Sequence, residues 1–284
     1  MATNRIPVAA DAKVLQAIIK AEKLHLAHQF DALRQLRPQE NFQAFHIADS
    51  VTLQSSAKYD RKLNHTCGFG VSGSVTESDL EAIEQVYQVT GVPPELDMCE
   101  YAHPSAFDLL KAGGYAETGT VSTFSRSLSG LNAEVEGATD GIEVTTTTAR
   151  DASIATSVEG FRSGGRQEWL LSLLAQSAAH RADTTTFFAR IDGEIAGAAG
   201  LACLDVCEGV KFANFYIDST LPAHRGKGVH KALILARMAA AKKMGCEVVM
   251  GSARAGSGSA RNMERAGMRL AFHSTTYTKQ TLSS

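Results

Sequence analysis

The chain has 284 residues, 44% of them hydrophobic, and its 28 Lys plus Arg against 30 Asp plus Glu leave a net charge of −2. That length and composition support two ordinary domains with real cores. The near-neutral balance lacks the basic surplus of a chain built to lie along nucleic acid, so no nucleic-acid partner is expected.

At the N-terminus, "MATNRIPVAADAKVLQ" lacks the roughly 7–15-residue apolar stretch of a secretory signal. Ala9 to Arg37 reads as one or two helices, with Val14, Ile18, Ala21 and His25 sharing a face and Pro38 ending the run. Short β-like runs follow in "FQAFHIA", "SVTLQSS" and "HTCGFGVSG". A helix is predicted over "DLEAIEQVYQVTG", with Ser78 as N-cap, Glu81 completing a capping box and Gly91 closing it. A strand "ELDMCEYA", a helix "SAFDLLKAG" and a strand "TGTVSTFSRSL" complete this half.

The small, polar, acidic stretch "SGLNAEVEGATDG" reads as a linker. It predicts domains at 1–130 and 142–284 joined by a linker at 131–141. The second half opens with a strand "IEVTTTT" and helices "DASIATSVEGF" and "EWLLSLLAQSAAHR". "TTTFFARI" and "IAGAAGLACL" flank an Asp-Gly turn and read as a β-hairpin. A strand "GVKFANFYIDST" leads into "LPAHRGKGVHKALILARMAAAKKMG". A strand "CEVVMGSA", a helix "SARNMERAG" and a final strand "RLAFHSTTYTK" follow. Ser105-Ala106 through Ala112-Gly113 recurs as Ser259-Ala260 through Ala266-Gly267, each between two strands. Together with the matching order of elements, this points to an internal duplication of one α/β fold.

Five cysteines (Cys67, Cys99, Cys203, Cys207, Cys246) are scattered, and Cys203 and Cys207 have no second pair to complete a zinc set. Reduced thiols, no metal and a cytoplasmic location are expected. The most apolar run, "ALILARMAAAKKMG", is broken by Arg237 and falls short of about 20 residues, so no membrane span is expected.

Two glycine-rich stretches compete as anion cradles. "HRGKGVHKAL" has Gly226 and Gly228 between a strand and a helix starting near Val229, ringed by Arg225, Lys227 and Lys231. Glycines let backbone N–H groups approach a diphosphate, and a helix N-terminus adds unsatisfied donors and a positive dipole end. "GFGVSG", Gly68 to Gly73, spells a dinucleotide fingerprint but lies in a β-like run. "SVTE" separates it from its helix, and Glu77 and Asp79 stand where a phosphate would be repelled, so a Rossmann site is rejected.

On the Arg225-Gly226-Lys227-Gly228 turn, with Pro222 before it and Val229-His230 after, the second half resembles the GCN5-related N-acetyltransferase (GNAT) family. That family's signature is Gln or Arg, then x-x-Gly-x-Gly or Ala. The element order from Ile142 to Lys279 and the "ERAGM" helix end extend the resemblance. The first half resembles a degenerate copy without the basic turn, as in tandem GNAT proteins where one half has lost coenzyme binding. The fold implied is α/β (α+β): two tandem GNAT-like domains, each a mixed, mostly antiparallel sheet flanked by helices. The resemblance implies that backbone amides from Arg225 to His230, including Gly226, Lys227, Gly228 and Val229, hold the coenzyme A pyrophosphate. It also implies that Asp218, Ser219 and Thr220 contact the pantetheine arm where neighbouring strands splay, a backbone N–H polarising the thioester carbonyl.

Acyl transfer to an amine needs a base, because a lysine-like amine has a pKa near 10.4. Asp218 and Glu208 are the leading candidates, with Asp205 and His224 behind them. Many family members place a proton-donating Tyr four residues before the Gly of the late helix; here that position is Met263. Ser257, Ser259 or Tyr277 are candidate substitutes. Trp169, with Phe161, Arg162 and Arg166, is a candidate acceptor contact. The activity implied is transfer of acetyl from acetyl-CoA to a primary amine, of a small molecule or a peptide, in a ternary complex, by a monomer or homodimer. The alternative is a non-catalytic acyl-CoA-binding regulatory module.

Overall fold

The computed structural model describes residues 12–131 and 141–280. Most of the predicted linker therefore lies outside the described residues. The chain divides into two compact units. Among the described residues, one holds Phe124–Leu270 and the other those up to Thr123 together with those from Ala271 onward. Where the sequence predicts domains at 1–130 and 142–284, each unit instead takes its closing strand from the other half of the chain. Among the described residues no helix is long and apolar enough to cross a membrane.

The first-half unit begins with helix α1 (Ala12–Leu36), whose Ile18, Ala21, His25 and Leu33 are buried at helical spacing. Strands β1 (Gln43–Ile47) and β2 (Ser50–Gln54) form a hairpin, and β2 pairs antiparallel with the short β3 (Thr66–Cys67). The predicted strand through "GFGVSG" is a turn instead: Gly68 and Gly70 have φ of +88° and +72°, which end the strand at Cys67. Helix α2 (Glu77–Gln88) is capped by Thr76 with Asp79, two residues before the predicted Ser78–Glu81 box. The Thr76 N–H donates to Asp79 Oδ2 at 2.8 Å, so the earlier Thr/Asp pair of the same type wins the helix start. Strand β4 (Glu95–Cys99) runs parallel to β3. Helix α3 (Pro104–Ala112) and the first part of strand β5 (Tyr115–Ser127) follow. Strand β11 (Arg269–Lys279) pairs antiparallel with β4 from Ser274 to Thr278 and completes this unit.

The other unit carries an antiparallel meander of β6 (Glu143–Thr147), β7 (Thr184–Ile191), β8 (Glu194–Cys207) and β9 (Val210–Thr220). Strand β10 (Cys246–Arg254) joins β9 in parallel, and the end of β5 flanks β10, Leu128 N–H donating to Glu247 O at 2.8 Å. Helices α4 (Arg150–Phe161), α5 (Glu168–His180), α6 (Val229–Lys243) and α7 (Gly258–Arg265) complete it. β8 is contacted by both α4 and α6, and its "AGAAGLA" run answers that with small, buried side chains. Leu233, Ile234 and Met238 of α6 pack into the core with Phe215 and Val249, whereas Met244 caps the helix 37% exposed.

Candidate active site

Strand β9 and helix α6 build the site. β9 pairs with β10 from Lys211 to Phe215 and no further, although β9 runs on to Thr220 and β10 to Arg254. The two strands part there, leaving the β10-facing backbone groups of Ile217 to Thr220 without ladder partners. On its other edge β9 carries a bulge: Ile217 and Asp218 oppose Ala199 alone, between the Gly200–Tyr216 and Ala198–Ser219 pairs. Ile217 takes a φ of +49°, a costly conformation for a β-branched residue. Strained backbone at a strand end beside a cleft is a functional signature.

Beyond Thr220 a short 3₁₀ turn, Pro222–His224, leads to Gly226 and Gly228. Gly228 is the N-cap of α6 with φ +88°, a left-handed position where any other residue is strained. No side chain caps this helix and no acidic residue stands in its first turn. Its leading N–H groups are therefore left to solvent or a ligand, at the positive end of the helix dipole. They face a cavity of about 350 Å³ lined by Thr220, His224, Gly226, Gly228, His230 and Asn262, among others, with Lys231 and Arg265 supplying positive charge. His224 Nδ1 is buried there without a hydrogen-bond partner. A diphosphate-bearing coenzyme fits such a cradle, since the unfilled donors are those it needs.

The predicted residues divide sharply. Thr220, Arg225, Gly226, Gly228, Val229 and His230 line the cavity, while Lys227 is exposed beside it. Arg225 does not lend its charge freely: its Nη2 donates to Gly160 O at 2.9 Å and Ser163 Oγ at 3.0 Å, tying the loop to the C-terminal end of α4. Ser219 is buried, its Oγ donating to Ala198 O at 3.2 Å. α4 comes so close that a Cβ on Gly160 would lie 2.6 Å from Ser219 Cβ. Ser257 caps α7, accepting from Ala260 N–H at 3.2 Å. Met263 is core, 2% exposed, in the position where the family's Tyr would stand. Trp169 is 46% exposed at the start of α5, near the Arg162–Glu168 ion pair.

Three catalytic candidates are corrected. Glu208 sits exposed in the β8–β9 turn, the whole 11-residue length of β9 from Thr220, which at about 3.3 Å per residue puts it out of reach. Asp205 lies at the same far end, paired with Lys211. Tyr277 belongs to the other compact unit, where its hydroxyl donates to Glu117 Oε1 at 2.8 Å. Asp218 is at the site but its carboxylate is occupied. Arg237, wholly buried, grips it with both Nη1 (3.2 Å) and Nη2, and His230 Nε2 lies 3.3 Å from Oδ1. Burial is the largest influence and pushes the Asp218 pKa up. Arg237 and His230 together outweigh it, holding the carboxyl below its ordinary 3.8. A buried, ion-paired carboxylate is a poor proton acceptor.

Asn262 Nδ2 lies 3.1 Å from His230 Nδ1, while His230 Nε2 stands 3.3 Å from Asp218 Oδ1, within ion-pair distance but without a well-aligned hydrogen bond. Sequence reasoning missed Arg237 and Asn262. The signal for Arg237 was present: it stands four residues after Leu233, on the buried stripe of an otherwise apolar helix face, where an arginine needs a partner.

Residues 151–268 match the model of the Acetyltransferase (GNAT) family. Among curated proteins, no relative matches the sequence. The fold is similar to that of a GCN5-related N-acetyltransferase from Kribbella flavida, 14% identical over 96% of each chain with a TM-score of 0.65. A second such protein, from Sphaerobacter thermophilus, is 17% identical over 97% of this chain and 94% of its own, with a TM-score of 0.56. A tandem GNAT protein from the clavulanic acid biosynthesis pathway is 12% identical over 73% of this chain and 70% of its own, with a TM-score of 0.58. Residues 151–268 are thus a domain of the Acetyltransferase (GNAT) family, set in a chain whose fold is that of two such domains in tandem.

Proposed function

We propose that the chain transfers an acetyl group from acetyl-CoA to a primary amine. The carrying observation is the uncapped N-terminus of α6, opening on a cavity at the end of a strand that has parted from its parallel neighbour. In this reading the amides of the Gly226–His230 turn hold the diphosphate, with Lys231 and Arg265 adding charge. The pantetheine lies along the free backbone edge of Asp218 to Thr220. A backbone N–H at the bulge hydrogen-bonds the thioester oxygen as negative charge develops on it.

The neutral amine attacks the carbonyl carbon, a C–N bond forms, the C–S bond breaks and coenzyme A leaves as thiolate. The departing proton of the ammonium goes through water to His224, whose ring lines the cavity and whose Nδ1 has no protein partner. With Met263 in the core, the thiolate leaves without a side-chain acid at that position, which an ordinary thiol pKa near 8.5 permits. Trp169 and the 162–167 loop are the acceptor-side surface in this proposal. The acceptor is a small-molecule or peptide amine.

A thiolate-release assay across a panel of small and peptide amines tests it. Saturation in both acetyl-CoA and at least one amine is expected. The engaged Asp218 and the absent acid at Met263 favour a second reading, a non-catalytic acyl-CoA-binding module. Saturable acetyl-CoA binding with no turnover on any amine would establish that one instead.

A further inference from the structure

Arg237 is 0% exposed and makes more contacts than packing requires. Its Nε donates to Leu233 O at 3.0 Å and its Nη1 to Gly200 O at 2.8 Å. Nη1 and Nη2 both reach Asp218, and the guanidinium lies 4.4 Å from the Phe215 ring centre. Gly200 and Asp218 stand on the two strands at the flank of the β9 bulge. A single side chain thus holds β8 and β9 on either side of Ile217, the residue forced to φ +49°. Such a conformation persists only where its surroundings over-determine it. Arg237 also belongs to α6, the helix whose first residues follow the Gly226–Gly228 turn. The chain of contacts continues from Asp218 through His230 to Asn262 on α7. As a stability device this arrangement is a poor choice. A buried ion pair is often no better than apolar residues of the same volume.

We propose that Arg237 is a positioning residue: by clamping Asp218 and Gly200 it holds the β9 bulge open and fixes the strand end that meets the pantetheine and thioester of acetyl-CoA. This rests on the reading above that the cavity takes acetyl-CoA. Arg237 touches no substrate. It acts through the backbone of Ile217 to Thr220, so it governs the thioester end of the coenzyme and not the diphosphate end, which the Gly228 turn holds by itself.

The test uses two full-length variants. Arg237→Lys keeps the charge but loses the planar fork. The double variant Arg237→Met with Asp218→Asn removes both charges, so no unpaired ion is left in the core even if the single variant is too unstable to study. Calorimetry measures binding of coenzyme A and of its adenosine 3′-phosphate 5′-diphosphate fragment, and hydrogen exchange follows the amides of Ile217 to Thr220. Both variants should bind the fragment as the wild type does. They should lose about tenfold or more in coenzyme A affinity and in kcat/KM for acetyl-CoA, as expected when a reacting group is misplaced. Exchange at Ile217 to Thr220 should rise. A folded variant with unchanged coenzyme A affinity and unchanged exchange would overturn the proposal, reducing Arg237 to packing. Equal loss of fragment and coenzyme would overturn it as well, since the clamp would then serve the whole loop. A wild-type protein that binds neither molecule would refute the acetyl-CoA reading, while the exchange measurement would still decide whether Arg237 holds the bulge.

Discussion

Helices α2 and α6 begin at corresponding points of the two units, each after a strand and a glycine-containing turn, and they finish their first turns in opposite ways. α2 starts with Thr76, whose N–H and Oγ1–H both donate to Asp79 Oδ2, at 2.8 and 2.7 Å, and Glu77 adds a second acid. α6 starts with a left-handed glycine, no side-chain cap and no acid. The first helix has satisfied its own end; the second leaves its donors for something else. The turns before them differ likewise. Gly70 in "GFGVSG" serves close packing, since a Cβ there would sit 2.7 Å from Ala106 Cβ, and its carbonyl accepts from His103 N–H at 2.8 Å. Nothing stands within 4 Å of the same point on Gly226. What makes an anion site is therefore not a helix end or a run of glycines but a helix end that the chain has declined to close.

The sharpest way to break this contrast is to close α6. Gly228→Asp puts a carboxylate at the N-cap and sets like charge against a diphosphate, at a left-handed position that also strains the new residue. Coenzyme A affinity should fall by about 100-fold or more, several kcal/mol of charge repulsion being at stake, while circular dichroism stays that of the wild type. Unchanged affinity would show that the diphosphate is held elsewhere.

The second prediction extends the comparison to the strand ends before the two helices. β9 ends at a cavity. β3 ends at Cys67, with Glu22 of α1 filling the space, its Oε2 3.6 Å from Cys67 Sγ. Burial above all, and the charge of Asp97 after it, push the Glu22 pKa to about 7 from 4.5. The folded chain then holds this proton more tightly than the unfolded chain. The Glu22 contribution is fully present below pH 4.5 and is lost as pH rises toward 7. Glu22→Gln should remove that loss, stabilising the protein at pH 8 by up to about 3 kcal/mol and leaving it unchanged near pH 4.5. Urea unfolding at the two pH values decides; an equal effect at both would mean that Glu22 is not a buried acid. Next in size, Asp79→Ala should cost about 1 kcal/mol of stability by opening the α2 cap. It should not change coenzyme affinity at all.

Much of this was legible in the sequence because it is local. β-Branched runs and the Asp-Gly hairpin signal their elements through local backbone preferences, whereas the glycines of "GFGVSG", read as strand, make a turn. The Gly228 turn could be read as an anion cradle because its signals are local too. What escaped was set by pairing over long separations. β11 closing the first-half unit depends on which strand edge it meets, and no property of "RLAFHSTTYTK" names that edge. It is why Tyr277 looked eligible for a site in the other unit. Glu208 failed for a simpler reason: its nearness to β9 in sequence hides the length of the strand that carries Thr220 away from it. Asp218 reads from the sequence as an open carboxylate, and the Arg237 that occupies it lies 19 residues downstream on a helix, where local reading does not reach.

The smallest effect asks how the cradle divides its work between backbone and side chains. Three cations crowd the turn in sequence, but Arg225 is bonded to Gly160 and Ser163 and Lys227 is exposed. If the amides carry the affinity, Lys227→Ala should weaken coenzyme A binding only about two- to fivefold, the range of an exposed charge near a helix end. That loss should fade with added salt, because charges separated through solvent are screened beyond about 8–10 Å at physiological ionic strength. Titrations at low and high salt supply the measurement. A loss that matched Gly228→Asp, or one indifferent to salt, would shift the anion site from the uncapped backbone to the lysine, and the difference between α2 and α6 would then be one of charge and not of closure.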